Sequence, residues 1–193
     1  MPRKPQFWYP GAKYHIYNRG NRKSTLFYDD EDRMKYLTIT AETKEKYPFH
    51  LNTYCLMTNH IHLNLETIKD PPGKIMHAIN VNYAKYFNKK YDLTGHVFEN
   101  RYNYEFIDSV EYELDVSKYI HLNPLQAGMV QKMEDYPWSS YRAYILKEHN
   151  PLVTTDHLLS YFPDPPEIYY HQYLKSAYTF SQAMSVLRSE QEI

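Results

Sequence analysis

The stretch His60-Ile61-His62-Leu63-Asn64-Leu65-Glu66 (residues 60–66) alternates between polar and apolar side chains over its whole length. A period of two is the pattern of a β-strand, because successive side chains point to opposite faces. On a helix, His60 and His62 would diverge by about 160°. The stretch therefore predicts a strand whose apolar face packs and whose polar face presents two imidazoles side by side. Two such imidazoles could begin a divalent-metal site.

The histidine pair alone is weak evidence for a metal site. Ten histidines in 193 residues produce an H-x-H pattern by chance roughly half the time. Surface or structural histidines therefore explain the pair at least as well, until another candidate ligand is found.

The sequence on either side of this strand predicts the rest of an antiparallel sheet. Alternation predicts further strands at 13–18, 49–57 and 97–107, and apolar residues at helical spacing predict helices at about 29–47 and 74–91. On the first helix we expect Met34, Leu37 and Ala41 to face the core. The order β-α-β-β-α-β indicates a ferredoxin-like α+β fold, an antiparallel sheet with helices on one face.

A third long helix is predicted from Asp108, which offers an N-cap acid, with Glu111 three positions later. It should end near Leu122, because Pro124 disfavours continuation.

Tyr119 and Asn123 lie four residues apart, so they share one face of this predicted helix. Tyrosine is a nucleophile only when it is positioned and assisted, because its hydroxyl has a pKa of about 10. Asn123 offers a neutral carbonyl oxygen that could complete a cation site begun by two histidines. Any one of the 22 tyrosines usually fills a core edge or an interface, so the spacing leaves a structural role open.

Composition limits the class of protein. Cys55 is the only cysteine, which excludes an internal disulfide framework and fits a reducing compartment. There is no apolar run of the roughly 20 residues that a membrane helix needs, and no secretory signal is evident. We expect a cytoplasmic protein without a membrane partner.

Charge is distributed unevenly along the chain. The net charge of −1 combines +4 in residues 1–30, +3 in residues 74–101 and −7 in residues 102–193. The basic segments could face phosphates, although a plain solvated surface explains them as well. The candidate phosphate contacts are Lys85, Lys89, Lys90 and Arg101, and the many tyrosines suit stacking against bases.

Four segments together resemble one protein family. They are CLMTNHIHLNLE (55–66), GHVFENRYNYEFID (95–108), YIHLNPLQAGMV (119–130) and DYPWSSY (135–141). In this order they are similar to the HUH single-tyrosine transposases, and most similar to the branch associated with repetitive extragenic palindromes (REP). The resemblance covers about residues 10–145. It implies an HUH-type catalytic domain at 1–145 and a short C-terminal extension at 146–193, with FPDPP (162–166) before a last short helix.

The resemblance assigns roles to individual residues. It implies that His60, His62 and Asn123 bind Mg²⁺ or Mn²⁺ and that Tyr119 is the nucleophile. It also places the loop Arg19, Gly20 and Asn21 against DNA next to a hairpin. One position departs from the family pattern, since Gln126 stands where relatives usually have arginine.

The function implied is that of a transposase that cuts and rejoins single-stranded DNA next to hairpins through a 5′-phosphotyrosine. Its partner would be single-stranded or hairpin DNA, which implies association with the nucleoid. Either a monomer or a homodimer is compatible with the sequence. Three alternatives remain open at this point. They are a non-catalytic hairpin-binding protein that retains the fold, a relaxase-type nickase and a metal-dependent hydrolase.

Overall fold

A computed structural model describes residues 7–176 of the chain. Its centre is a four-stranded sheet in the order β2-β3-β1-β4, in which every neighbouring pair is antiparallel. The strands are β1 (Lys13–Arg19), β2 (Phe49–Leu56), β3 (His60–Thr67) and β4 (Asn103–Ile107). This order, together with the two helices between the strands, confirms the predicted ferredoxin-like α+β fold.

The described residues form six α-helices. These are α1 (Asp30–Lys46), α2 (Pro72–Tyr91), α3 (Val110–Gln126), α4 (Tyr141–Ile145), α5 (Asp156–Leu159) and α6 (Pro166–Lys175). Short 3₁₀ turns lie at Asn21–Lys23 and Met133–Asp135. The last helix, α6, is the short helix predicted after residues 162–166. Within residues 7–176, no helix combines the length and apolarity needed to cross a membrane.

The helices cover the sheet from both sides. α1 and α2 pack on the face that carries Ile16 and Leu63, and together these elements form the largest core cluster. α3 packs on the opposite face, where Val116, Tyr119 and Ile120 share a second cluster with strand residues. The prediction of helices on one face therefore holds for α1 and α2, while α3 shields the polar side of the sheet.

The predicted buried face of α1 is wrong in part. Met34 is 58% exposed and Ala41 is also exposed, whereas Tyr36 and Ile39 are buried. The buried face of α1 also carries the polar residues Asp32, Thr40 and Thr43, so a pattern of aliphatic residues alone does not locate it. A buried tyrosine ring then takes the central place that the sequence pattern gave to aliphatic residues.

The limits of α3 also differ from the prediction. Ser109, not Asp108, is the N-cap, and its side chain accepts from the Tyr112 backbone N–H. The helix continues through Pro124 to Gln126. Proline removes one backbone donor but leaves later donors intact, and Ala127 N–H still bonds the Asn123 carbonyl.

The fourth strand is shorter than predicted. Regular pairing with β1 covers only Asn103–Ile107, whereas the prediction began at Val97. Val97 and Phe98 are buried, and Phe98 forms an isolated bridge with Gly20. Val97 and Phe98 therefore lie along the turn after β1 and not along β1 itself. Their alternation reflects burial against that turn.

Residues 146–176 pack onto α3 and α4. Leu158 of α5 and Tyr170 and Leu174 of α6 share a cluster with Leu122 of α3 and Tyr144 of α4. The predicted boundary at 145/146 falls directly after α4, and that division stays a prediction. The outer ends of both predicted units, residues 1–6 and 177–193, lie outside the described residues.

Candidate active site

Strand β3 places the two histidines on the side of the sheet that α3 covers. Its alternate residues Ile61 and Leu63 enter the core under α1 and α2. His60 and His62 face the other way, paired with Arg19 and Tyr17 of β1. The alternation in the sequence therefore produces the two-faced strand that was predicted.

The two imidazoles are close together and set at right angles. Their ring centroids lie 5.0 Å apart with an interplanar angle of 87°. His62 is completely buried, and its Nε2 has no hydrogen-bond partner among the described residues. His60 is fixed by Asn59, whose Oδ1 lies 2.7 Å from His60 Nδ1, and by a hydrogen bond with the side chain of Asn123.

Burial keeps both imidazoles neutral near pH 7. It lowers the pKa of His60 to about 4, helped by the positive charge of Arg19. Burial also holds the pKa of His62 well below its ordinary value, with His60 and His15 contributing in the same direction. A neutral imidazole offers a lone pair, which is the form in which histidine binds a metal.

Helix α3 brings the predicted nucleophile to the same place. The Tyr119 ring lies 5.1 Å from the His62 ring, edge-on at 86°. One turn later, Asn123 reaches His60. The structure thus brings Tyr119, Asn123 and both histidines together, with exposures of 5% for Tyr119 and 9% for Asn123.

These residues fit a divalent ion. Two neutral imidazoles and one amide oxygen are three ligands from two rigid elements, and the unpartnered Nε2 of His62 is a buried acceptor of the kind that a cation would satisfy. Within the described chain no group of three or more His, Cys, Asp and Glu side chains is arranged for a metal. Two imidazoles and an amide are a different ligand set.

A cleft opens from His60 toward solvent. Its lining residues are Tyr17, Asn18, Arg19, His60, Glu99, Asn100, Arg101 and Asn103. Two of the predicted DNA contacts, Arg19 and Arg101, therefore lie beside the histidines. Arginine in such a cleft suits the phosphates of an approaching strand.

The predicted loop after β1 borders this cleft. Gly20 is pressed against the turn that follows it, because a Cβ there would lie 2.1 Å from the Ser24 carbonyl oxygen. The backbone N–H of Asn21 bonds the Val97 carbonyl and so ties the loop to the segment before β4. The loop is therefore held in a defined position next to Arg19.

The three predicted lysines lie on α2, across the sheet from the histidines. Lys85 and Lys89 are exposed. Lys90 Nζ forms ion pairs of 2.8 Å with Asp29, 3.1 Å with Glu31 and 2.9 Å with Asp32, at the N-terminus of α1. Much of the positive charge of Lys90 is thus balanced within the protein.

Sequence reasoning missed two residues of this site. His15 on β1 stacks on His62 with centroids 5.3 Å apart, and its ring also meets Tyr119 edge-on. Glu105 on β4 lies beside His15. The alternation of β1 contains the signal, because His15 falls on the same side as Tyr17 and Arg19, but the pairing of β1 with β3 is needed to use it.

Comparison with known proteins gives the class to which this fold and site belong. A family model described as "Transposase IS200 like" matches residues 9–123, which is more than half of the chain and includes both histidines, Tyr119 and Asn123. The chain therefore belongs to the IS200-like transposases, which makes it a DNA-binding recombination protein.

Relatives within this class agree with the resemblance seen in the sequence. A Haemophilus influenzae protein named as a REP-associated tyrosine transposase is 28% identical over 139 residues, covering 64% of this chain and 74% of the relative. A solved REP-associated tyrosine transposase bound to a REP hairpin superposes with a TM-score of 0.64 at 18% identity, covering 82% of this chain and 93% of the other. That likeness supports the fold. The similarity to the REP-associated branch is thus confirmed.

A second solved structure is more distant. It is a transposase from Deinococcus radiodurans with a TM-score of 0.43 and 14% identity, covering 70% of this chain and 97% of the other.

Proposed function

We propose that this transposase cuts and rejoins single-stranded DNA next to hairpins, with Tyr119 as the nucleophile that forms a 5′-phosphotyrosine. The observation that carries the proposal is the meeting of Tyr119 with His62 at 5.1 Å, on elements that are far apart in sequence. Tyr119 lies edge-on against the buried, neutral imidazole of His62, which is itself next to His60. In this position the attack of the phenol on a phosphate can be assisted by the histidine site.

The covalent step conserves the phosphodiester bond energy. The Tyr119 oxygen forms a bond to the scissile phosphorus, the bond from phosphorus to the 3′-oxygen breaks, and that oxygen leaves as a 3′-hydroxyl. In the second step the 3′-hydroxyl of another strand attacks the phosphotyrosine and releases the tyrosine. No nucleotide fuel is needed, because each step exchanges one phosphoester for another.

His60, His62 and Asn123 would hold a Mg²⁺ or Mn²⁺ ion beside the phosphate. When bound, the ion would act as a Lewis acid on a non-bridging phosphate oxygen. Imidazole ligands suit Mn²⁺ better than Mg²⁺. The rigid strand and helix orient the three ligands, and the packing of Tyr119 against His62 holds the phenol next to the same position.

The DNA would approach through the cleft beside His60. Arg19 and Arg101 would contact phosphates there, while the loop at Gly20 and Asn21 would lie against neighbouring nucleotides. We assign hairpin DNA as the partner because the solved relative is bound to a REP hairpin. Lys85, Lys89 and Lys90 would contact only DNA that passes around the other face of the sheet.

Denaturing electrophoresis of the protein with labelled hairpin oligonucleotides and Mn²⁺ tests this proposal. The parent chain should acquire covalent label. Tyr119→Phe should acquire none, because the ring still packs but the nucleophilic oxygen is gone. Tyr169→Phe is a matched control, since Tyr169 is 41% exposed on α6 and should label like the parent.

Two results would contradict the proposal in different ways. Hairpin binding by the parent without any covalent product would indicate a DNA-binding protein that retains the fold. Label that persists in Tyr119→Phe would show that another nucleophile performs the reaction.

A further inference from the structure

His15 contacts the proposed metal site without being one of its ligands. It is 2% exposed on β1, and its Nε2 lies 3.1 Å from Nδ1 of His62. On its other side, its Nδ1 lies 3.8 Å from Oε2 of Glu105. The carboxylate, His15 and His62 thus form a chain that ends at the unpartnered Nε2 of His62.

The hydrogen bond between the two rings can have only one of two directions. A hydrogen bond joins one N–H to one lone pair, so one ring must donate and the other must accept. If His15 donates from Nε2, the proton of His62 sits on its own Nε2, buried and without a partner. This direction therefore leaves a buried N–H of His62 without an acceptor, which is unfavourable.

The opposite direction leaves no N–H of His62 unpaired, and only the lone pair of its Nε2 stays without a partner. His62 donates from Nδ1 to Nε2 of His15, and the proton of His15 then sits on Nδ1, facing Glu105. The Nε2 of His62 keeps its lone pair and points away from the hydrogen bond. A metal-binding histidine needs its free nitrogen bare, and a partner on the other nitrogen is what fixes that tautomer.

We infer that His15 is a positioning residue that fixes His62 in the tautomer whose Nε2 is free to bind the metal, and that Glu105 fixes His15 in turn. This inference rests on the proposed metal site. Tyr112 extends the chain, because its hydroxyl makes a short hydrogen bond to Oε2 of Glu105. That contact holds the carboxylate in place, so β1, β3, β4 and α3 all contribute to the orientation of one ligand.

The tautomer of His62 can be read directly in the metal-free protein. In ¹⁵N-histidine NMR, with the His62 signal identified by its loss in His62→Ala, the inference predicts a protonated Nδ1 and a bare Nε2. A proton on Nε2 would overturn it. This measurement needs neither metal nor DNA, so it decides the inference even if the proposed reaction fails.

Binding of Mn²⁺ alone, followed by the EPR signal of the free ion, gives a second measurement. His15→Phe keeps the ring volume but removes the acceptor, and we expect its affinity to fall by about 10- to 100-fold. His15→Gln restores a carbonyl acceptor and should recover most of that loss. His171→Phe, a histidine change on α6 far along the chain, should bind Mn²⁺ like the parent.

The dependence on metal separates positioning from a general structural defect. In His15→Phe, adduct formation should be slow at low Mn²⁺ and recover toward the parental rate at saturating Mn²⁺. Equal Mn²⁺ affinity in the parent and His15→Phe would contradict the inference. If the parent itself binds no Mn²⁺ through His62, the proposed metal site fails and the NMR result alone decides the role of His15. Should His15→Phe fail to fold, Glu105→Gln, with a smaller expected loss, takes its place.

Discussion

The two faces of strand β3 are built from neighbouring residues and serve opposite purposes. On one face, Leu63 and Leu65 are buried against α1 and α2 in an apolar cluster. On the other, His62 and Asn64 are equally buried, but His62 Nε2 and Asn64 Oδ1 have no hydrogen-bond partner within the described chain. Burying polar atoms without hydrogen-bond partners lowers the free energy of unfolding. The apolar face therefore stabilises the fold, while the polar face carries a cost at His62 Nε2 that a bound cation would remove.

The sharpest test of this contrast compares two adjacent residues. Leu63→Ala should lower the free energy of unfolding by about 2–5 kcal/mol, because it opens a cavity in the core. His62→Ala should cost less stability but should reduce adduct formation by at least about 100-fold, since even outer partners of metal ligands are worth 10- to 100-fold. Chemical denaturation and adduct yield per folded molecule measure the two effects. Equal losses of adduct in both variants would remove the distinction between the faces.

The next effect concerns the ligand from α3. Asn123→Ala should weaken Mn²⁺ binding by about 10-fold or more, because it removes both the amide oxygen and the hydrogen bond to His60. Asn123→Gln keeps the amide and should retain most of the affinity. EPR titration with Mn²⁺ measures both, and a Gln variant as weak as the Ala variant would argue that the residue only packs.

A smaller effect should show which face meets DNA. Arg101→Gln should weaken hairpin binding about fivefold, roughly 1 kcal/mol, and reduce the slope of log Kd against log salt by about 1. Lys85→Gln should change both values less. Lys90→Gln should mainly lower the melting temperature, because it leaves the buried Asp32 carboxylate without its ion pair. If Lys85→Gln or Lys90→Gln reduced the salt slope more than Arg101→Gln does, the DNA would instead bind on the α2 side.

The smallest effect is the dependence of stability on pH at the apolar face. Burial alone would raise the pKa of Asp32, but hydrogen bonds from Lys90, Tyr91 and the Tyr28 backbone lower it below the ordinary value. Because the folded pKa lies below the unfolded one of about 3.9, the stability that this carboxylate contributes is complete above about pH 4. It is lost as pH falls further. Thermal melts from pH 5 to pH 3 should therefore decline less steeply in Asp32→Asn.

Local periodicity predicted the elements, and with them most of the candidate site. The period of two in HIHLNLE placed both histidines on one face, and the spacing of four joined Tyr119 to Asn123. Both are properties of a single element, which is why one sequence sufficed. The resemblance to a family then chose Tyr119 among many tyrosines.

What the sequence could not predict depends on contacts between distant segments. His15 and His62 are 47 positions apart and meet only because β1 pairs with β3. Lys90 and Asp29 are 61 positions apart, so the neutralised charge of Lys90 is invisible to a count of basic residues. The N-cap of α3 is Ser109 and not Asp108, so the helix begins one residue later than predicted. Local sequence rarely defines helix ends more closely than that.

The central claim is that Tyr119 performs the covalent step, and peptide mapping tests it most directly. The protein is incubated with a hairpin oligonucleotide and Mn²⁺, digested, and the DNA-linked peptide is sequenced by mass spectrometry. The account predicts a single 5′-phosphate linkage on Tyr119. A linkage on any other residue, or cleaved DNA with no linked peptide, would contradict it.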